Sequence, residues 1–304
     1  MLKKIIRKVM PNPLEVILKK ASKNQTKSCL IVWNRGLGDI ALGMYALVLR
    51  IKQVLPEIAI TFLTRQDLAQ GFTLLEGVDV ITSDAMQRGK PFNLSSVLTT
   101  LGKNQQSYDL IIERPDPTYW LKWQLGTVVP KLIWKDNWDG LCQRFSLAQD
   151  VKYLAVHIQT QTSYGYEKNW PMENFVNLFC KLVREKNRKI ILFGHTATEE
   201  IPLEDVIDLR GKTSLIEMLS IIKNRCDCLL VPDSGVLSLT YFLDQSFPLK
   251  VISLWADPCQ GVLKQNVSSP NKQLDHFPLR AKDGDLRNIS VESVFYLVND
   301  NSKG

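Results

Sequence analysis

The 304-residue sequence lacks several features that would place it outside the ordinary globular class. No run of eighteen apolar residues, the length that crosses a bilayer, occurs in it. Its first residues, MLKKIIRKVMPNPL, lack the apolar core and small-residue cleavage site of a secretory signal, so we expect a cytoplasmic protein. Internal repeats and low-complexity tracts are also missing. What is present is a typical soluble composition, 45% hydrophobic and 23% charged.

Paired cysteine motifs are missing as well. The six cysteines lie mostly inside apolar runs, as buried thiols do in a reducing compartment, and not at the spacings of a disulfide framework. Cys226 and Cys228 are one residue too close for a C-x-x-C motif and have no second pair. We therefore predict no metal site.

Acidic residues are scarce in the first 27 residues, where the net positive charge of the chain is concentrated. This segment holds eight Lys or Arg against Glu15 alone, which accounts for the net charge of +7. Because the remainder is balanced, we expect no nucleic-acid partner. The apolar residues that alternate with these cations at roughly helical spacing are Leu2, Ile5, Ile6 and Val9. Such a segment can rest on anionic lipid, while a solvated basic tail or a helix packed on the first domain would have the same composition.

Alternating strand and helix patterns predict α/β layers with parallel sheets. In the first half, strands are expected at 28–33, 58–63, 79–82 and 108–113, with a helix at 39–54. In the second half, strands are expected at 153–158, 189–194, 206–209, 228–232 and 250–255, and helices at 172–186, 213–224 and 291–298.

These elements predict two Rossmann-like domains. The expected organisation is a basic N-terminal segment at 1–27, an N-terminal domain at 28–148, a C-terminal domain at 149–290, and a C-terminal helix and tail at 291–304. The boundary is set where the pattern lapses into polar sequence around 140–150. Ligands of such sheets bind at the carboxyl ends of the strands, so we expect the two sheets to face a central cleft that holds the site.

A glycine turn ends the first predicted strand, in the stretch CLIVWNRGLGDIA. Gly36, Gly38 and Ala41 form G-x-G-x-x-A, close to the fingerprint of a dinucleotide-binding loop. A dehydrogenase would also have an acidic residue at the end of the second strand, where this chain has Arg65. Arg65 could meet a 2′-phosphate, which keeps an NADP-dependent oxidoreductase open as an alternative, although no catalytic Tyr-Lys or His-Asp pair is evident. Asp39, at the mouth of the helix, does not suit a pyrophosphate site.

Two stretches of the second half suit a nucleotide diphosphate. HIQTQTSYGYEKNWP (157–171) offers hydroxyl donors and, in Lys168, a point charge for phosphate oxygens. CLLVPDSGVLSLTYFL (228–243) brings Asp233 and Gly235 to a helix N-terminus, where backbone amides can bind an anion. Each stretch has a structural alternative, a polar loop before a helix in the first case and a capping Asp233 in the second.

The order RGLGD, KNWP, GKTSL, PDSG and LWADP resembles glycosyltransferase family nine, the lipopolysaccharide heptosyltransferases. The resemblance spans about residues 28–300. It implies a GT-B fold with the acceptor on the N-terminal domain and the nucleotide sugar on the C-terminal one. It also implies inversion at the anomeric carbon, without a metal or any cofactor besides the ADP-linked donor.

The resemblance also assigns roles to residues. The Gly-Asp aspartate of the family falls on Asp39, which would be the general base, on an acceptor loop that includes Arg35, Gly36 and Gly38. The donor-binding residues would be Thr162, Ser163, Lys168, Thr213, Asp233, Ser234, Gly235 and Ser238. The implied reaction transfers heptose or a related sugar to a lipopolysaccharide-type glycolipid or saccharide, at the cytoplasmic face of the inner membrane if residues 1–27 bind lipid.

Three departures from the family pattern leave a second alternative open. Ser238 stands where members often carry a histidine, the closing turn reads Trp-Ala-Asp-Pro (255–258), and the loop at 157–163 lacks the usual Gly-Ala-Ser run. A degenerate member that binds a sugar nucleotide without catalysis would also have these features.

Overall fold

The chain forms two compact units, Met1–Pro130 and Lys131–Gly304. The computed structural model describes residues 11–121, 127–151, 153–160, 167–185, 188–196, 201, 203–256 and 267–300. Each unit contains one sheet in which all paired strands are parallel. The predicted α/β class with two parallel sheets is therefore confirmed.

The first unit has a four-stranded sheet. Its strands are β1 Ser28–Trp33, β2 Ala59–Thr64, β3 Val78–Thr82 and β4 Leu110–Ile112, in the order β3-β2-β1-β4. Its helices are α1 Pro13–Lys23, α2 Tyr45–Val54, α3 Ala69–Phe72, α4 Leu94–Thr100 and α5 Pro117–Trp120, with a π-helical turn at Ile40–Met44 before α2. The central strand β1 is buried along nearly its whole length, as expected for its apolar run SCLIVW.

The second unit has a six-stranded sheet. Its strands are β5 Tyr153–His157, β6 Lys189–Phe193, β7 Val206–Asp208, β8 Cys226–Pro232, β9 Leu249–Trp255 and β10 Leu274–Arg280, in the order β10-β9-β8-β5-β6-β7. Its helices are α6 Met172–Arg184, α7 Leu215–Arg225, α8 Gly235–Tyr241 and α9 Val291–Asn299. One cluster of its core residues joins α6 and α9 to the strands of the sheet.

The division between the units lies between residues 130 and 131, earlier than the boundary predicted between 148 and 149. The polar stretch that indicated a linker belongs to the second unit, where Asp136–Phe145 forms a 3₁₀ helix. Its Asp139 carboxylate accepts hydrogen bonds from Lys223 (2.7 Å) and Asn224 (3.1 Å) of α7. Polar residues here serve to attach the segment to α7.

Several elements were not among those expected from the sequence: the strand β10 and the short helices α3, α4 and α5. The strand β10 lies at the sheet edge, where Pro278 is tolerated because an edge strand can lose one N–H donor. The helix α1 occupies the second half of the basic segment and packs on α2, so for residues 13–23 the alternative of a helix packed on the first domain is confirmed. Among the described residues, no helix is long and apolar enough to cross a bilayer.

The cysteines of the described ranges are free thiols. Burial raises the pKa of both Cys29 and Cys228 to about 12, so these side chains behave as small apolar core residues. Across the same ranges, no group of His, Cys, Asp and Glu side chains is arranged to hold a metal ion.

Candidate active site

Each sheet reverses its strand order at one point, which is where open parallel sheets bind their ligands. In the first unit the chain runs outward from β1 through β2 to β3, and β4 is added on the other side of β1. In the second unit it runs from β5 through β6 to β7, and β8 is added on the other side of β5. The two switch points thus lie between β1 and β4 and between β5 and β8.

The predicted catalytic aspartate lies in the loop that follows β1, at the first switch point. The Asp39 side chain is half-buried, and its Oδ2 accepts a hydrogen bond from the backbone N–H of Gly36 at 3.1 Å. A Cβ atom at Gly36 would come within 2.8 Å of that oxygen, so a larger residue there would displace the Asp39 carboxylate from this position. The other glycine of the loop, Gly38, accepts a hydrogen bond from the N–H of Leu42 with its carbonyl (3.1 Å).

This loop is tied to the ends of both β1 and β2. The indole N–H of Trp33 donates to the carbonyl of Gly36 (3.3 Å). The guanidinium of Arg65, just after β2, donates to the carbonyls of Asn34 (2.6 Å) and Arg35 (3.0 Å). The side chain of Arg35 is exposed, and its guanidinium lies 5.8 Å from the centre of the Trp33 ring.

The same contacts speak against the dehydrogenase alternative. Arg65 also forms a two-pronged ion pair with Asp67 (2.7 and 2.8 Å), and its side chain is only 12% exposed. Its donors are therefore engaged within the protein and do not reach out toward a 2′-phosphate. The Gly36 N–H, which would face a pyrophosphate, is bound to the carboxylate of Asp39, and that charge repels an anion.

At the second switch point, an ion pair joins two of the predicted donor-binding residues. Lys168 lies in the segment that leads from β5 to α6, and Asp233 directly follows β8. Lys168 Nζ donates to Asp233 Oδ2 at 2.8 Å, with side-chain exposures of 24% and 9%. The structure thus brings together residues from both predicted stretches on the two sides of the switch.

The start of α8 is capped by Ser234 and not by Asp233. Ser234 Oγ accepts a hydrogen bond from the N–H of Leu237 (3.3 Å), and Gly235 is the first helical residue. Because Ser234 provides the cap, the interpretation of Asp233 as the helix cap is wrong. Ser238 is buried, and its hydroxyl donates to the carbonyl of Ser234 (3.3 Å).

The backbone around Lys168 is held in place by the core. The indole N–H of the buried Trp170 donates to the carbonyl of Ile289 (3.0 Å). Asn169 binds both the N–H (2.7 Å) and the carbonyl (3.1 Å) of Thr160, and so joins the two ends of the intervening loop. The predicted donor residues Thr162 and Ser163, within that loop, lie outside the described residues.

The loops after β6 and β7 join the same edge of the sheet. Gly211, at φ 69°, donates its N–H to the carbonyl of Gly194 (2.9 Å). The buried Arg210 binds Asp208 through two nitrogens, and the hydrogen bond from Arg210 lowers the pKa of that carboxyl. The predicted residue Thr213 is half-buried immediately before the cap of α7. Arg210 was not predicted as part of this edge of the sheet, although it directly precedes the GKTSL run.

His157 is a second residue at this edge of the sheet to which the sequence motifs assigned no role. It is the last residue of β5, at the switch point, and its Nδ1 is buried without a hydrogen-bond partner among the described residues. Burial lowers the pKa of His157 to about 4, so the imidazole is neutral at physiological pH. The sequence feature that marks His157 is its position directly after the apolar run YLAV, at the end of a predicted strand.

The region that contains Lys168 and Asp233 matches a known protein family. Residues 134–258 match the family model described as Glycosyltransferase family 9 (heptosyltransferase). No curated protein sequence matches the chain.

Three solved structures are similar over 90% of this chain. The Escherichia coli ADP-heptose lps heptosyltransferase II has 15% identity and a TM-score of 0.63 over 97% of its chain. The family 9 glycosyl transferase of Veillonella parvula DSM 2008 has 17% identity and a TM-score of 0.57 over 98% of its chain. The E. coli heptosyltransferase WaaC, solved with ADP, has 17% identity and a TM-score of 0.54 over 100% of its chain.

The solved structures confirm the predicted fold, and the family model supports the resemblance to family nine over residues 134–258. The similarity extends over 90% of this chain, and its two parallel-sheet units agree with the GT-B class that the motif order implied. The family model confirms the resemblance to family nine and, with it, the glycosyltransferase class.

Proposed function

We propose that this enzyme transfers a heptose or related sugar from an ADP-sugar to a lipopolysaccharide-type glycolipid or saccharide, which the match of residues 134–258 to family nine supports. The observation that carries the proposal is the pairing of Lys168 with Asp233 at the switch point of the second sheet. An ammonium at that position suits a diphosphate, and a carboxylate beside it suits sugar hydroxyls. The complex of WaaC with ADP supports the choice of nucleotide.

Lys168 would stabilise the leaving group. When the bond between the anomeric carbon and the phosphate oxygen breaks, negative charge develops on the departing ADP. A positioned ammonium in a partly desolvated site stabilises that charge more strongly than water does. Hydroxyl and amide donors of Thr162, Ser163, Thr213, Ser234 and Gly235 would bind the remaining donor oxygens, and Ser238 would support them from within α8. The charge of Lys168 is the reason for proposing no metal requirement.

Asp39 would serve as the general base. It takes the proton of the acceptor hydroxyl while that oxygen attacks the anomeric carbon on the face opposite the leaving ADP. One bond forms as the other breaks, so the configuration inverts. A positioned base of this kind typically contributes about 10²–10⁴-fold to the rate. The hydrogen bond from Gly36 fixes the direction of the carboxylate, while Arg35 and Gly38 would shape the acceptor loop.

The acceptor is proposed to be presented at the cytoplasmic face of the inner membrane. The excess of cations in residues 1–27 supports this location, because it concentrates the charge of the protein where an anionic lipid surface would attract it.

The test is transfer by the full chain. Purified protein is incubated with ADP-heptose and a truncated lipopolysaccharide acceptor, and ADP release and acceptor mass are measured. The proposal expects both products, with ADP release dependent on the acceptor. Turnover only with a UDP- or GDP-sugar would contradict the ADP assignment. Donor binding without turnover on any acceptor would instead identify the non-catalytic alternative that Ser238 raised.

A further inference from the structure

The second half of the basic segment is a fixed part of the first unit. The helix α1 begins at the cap Asn12, whose side chain accepts from the N–H of Leu14. Its apolar face, Leu14, Leu18 and Ala21, is at most 5% exposed. Because α1 is packed in this way, the direction of its opposite face is set by the fold.

That opposite face combines lysines with an exposed apolar side chain. Lys19, Lys20 and Lys23 are exposed and lie three, four and seven positions after Val16, which places all four on one side of the helix. Val16 is 52% exposed. Within the described ranges, only Val16 and Tyr296 are exposed large hydrophobic residues. We call these four residues the α1 face.

No carboxylate of the segment neutralises these lysines. Glu15, its one acidic residue, forms two hydrogen bonds with Arg50 of α2 (2.7 and 2.8 Å). The hydrogen bond from Arg50 lowers the pKa of Glu15, so the carboxylate stays ionised and paired. The charge of the α1 face is therefore directed outward.

We infer that the α1 face docks on anionic phospholipid headgroups, with Val16 entering the interface between headgroups and acyl chains. Lysines on a helix surface are attracted to the negative potential of such a membrane. An apolar side chain among them gains further stabilisation by burial in the lipid interface, which phosphate groups alone do not offer. Val16 is the reason for favouring lipid over nucleic acid. The inference rests on the proposed function in one respect, because it would bring the enzyme to a glycolipid acceptor.

The experiment is vesicle co-sedimentation of the full chain. Vesicles contain phosphatidylcholine alone or with phosphatidylglycerol, and the test variant is K19Q/K20Q/K23Q. The matched control is K103Q/K272Q/K282Q, which removes the same charge from other exposed lysines. We expect wild type to bind only the anionic vesicles, the α1 variant to bind them roughly tenfold or more weakly, and the control to bind like wild type.

A second variant tests the apolar contribution. Val16→Ser keeps every charge, so it should weaken binding to anionic vesicles while leaving the salt dependence of binding unchanged. The inference is overturned if the α1 triple variant binds as wild type does, or if both triple variants lose affinity equally. It is also overturned if the α1 substitutions reduce affinity for duplex DNA but not for vesicles.

Failure of this inference and failure of the proposed function are separable. The substituted side chains are exposed, and thermal unfolding verifies that each variant is folded. ADP-dependent stabilisation is measured on the same samples. Loss of vesicle binding with retained ADP binding would locate the docking surface, whereas wild type that binds ADP but no vesicle would refute docking and leave the transferase proposal intact.

Discussion

At the scale of single residues, the ion pair between Lys168 and Asp233 is the contact on which the proposed donor site depends most directly. The two residues are 65 positions apart in sequence, and they meet because the strand order places β5 beside β8. Sequence motifs predicted that each residue serves the donor, but their contact follows from the sheet. The two charges pair with each other, and the proposed donor binding requires Lys168 to contact phosphate as well.

Replacing Lys168 by alanine should weaken ADP binding roughly tenfold or more, because a charge-assisted hydrogen bond contributes about 1.5–3 kcal/mol. Titration calorimetry measures the affinity. Lys181→Ala is the matched control, since it removes a lysine of the same unit that pairs with Glu292 on the surface. Equal ADP affinity in the two variants would remove Lys168 from the phosphate role.

Replacing Asp39 by asparagine should lower kcat by about 10²–10⁴-fold while donor affinity stays near that of wild type. The amide keeps the size of the side chain but cannot accept the proton. Rates are measured by ADP release, with Asp79→Asn, an exposed carboxamide substitution in the same unit, as control. Normal turnover by the Asp39 variant would be incompatible with a base at this position.

At the scale of elements, the loop between β1 and the π-helical turn depends on Arg65. Its guanidinium joins the end of β2 to two carbonyls of the loop. From the sequence, Arg65 was a candidate for binding the 2′-phosphate of a cofactor. A motif does not show which hydrogen bonds a side chain forms within the protein. The structure shows an anchor for the segment that carries Asp39.

Replacing Arg65 by glutamine should therefore reduce kcat several-fold with little change in donor affinity, because Asp39 loses a defined position. Arg65→Lys, which keeps one donor to the carbonyls, should restore part of the rate. The control is Asp67→Asn, which breaks the ion pair and leaves the carbonyl contacts. If the Asp67 variant lost as much kcat as Arg65→Gln, the ion pair and not the loop contacts would matter.

The strands show how far a sequence can predict such a fold. Strands that are buried on both faces carry continuous apolar runs, and β1, β5 and β9 were predicted almost to the residue. The edge strand β10 was missed because its sequence LDHFPLR has no such run and is interrupted by charged residues and a proline. The 3₁₀ helix near residue 140 was mistaken for a linker because its contacts are polar and lie far along the chain.

At the scale of the whole molecule, stability should fall as the pH drops from about 6.5 toward 4. Burial lowers the pKa of both His157 and His276 to about 4, against an ordinary value of 6.5. Between these values the unfolded chain binds more protons than the folded one, so stability is full above pH 6.5 and decreases below it. Each histidine contributes about 1–2 kcal/mol of this loss at pH 5.

Circular dichroism melts of the full chain at pH 7 and pH 5 test this expectation. The second unit, which holds both histidines, should unfold several degrees lower at pH 5, and His276→Gln should reduce that difference. Because Ser253 Oγ lies 2.7 Å from His276 Nε2, the glutamine can retain a hydrogen bond there. An unchanged pH dependence in the variant would show that His276 is not the group responsible.

The central claim is that the second unit binds an ADP-sugar through Lys168. It is tested most directly by thermal unfolding of wild type and Lys168→Ala with ADP, UDP, GDP, CDP and NADPH in turn. A ligand at about 100 times its Kd stabilises the folded state by roughly 2.7 kcal/mol, which is an observable shift. We expect ADP to raise the unfolding temperature of wild type, with a much smaller effect on Lys168→Ala and none from the other nucleotides on either protein. Stabilisation by NADPH alone, or by no nucleotide at all, would contradict the account.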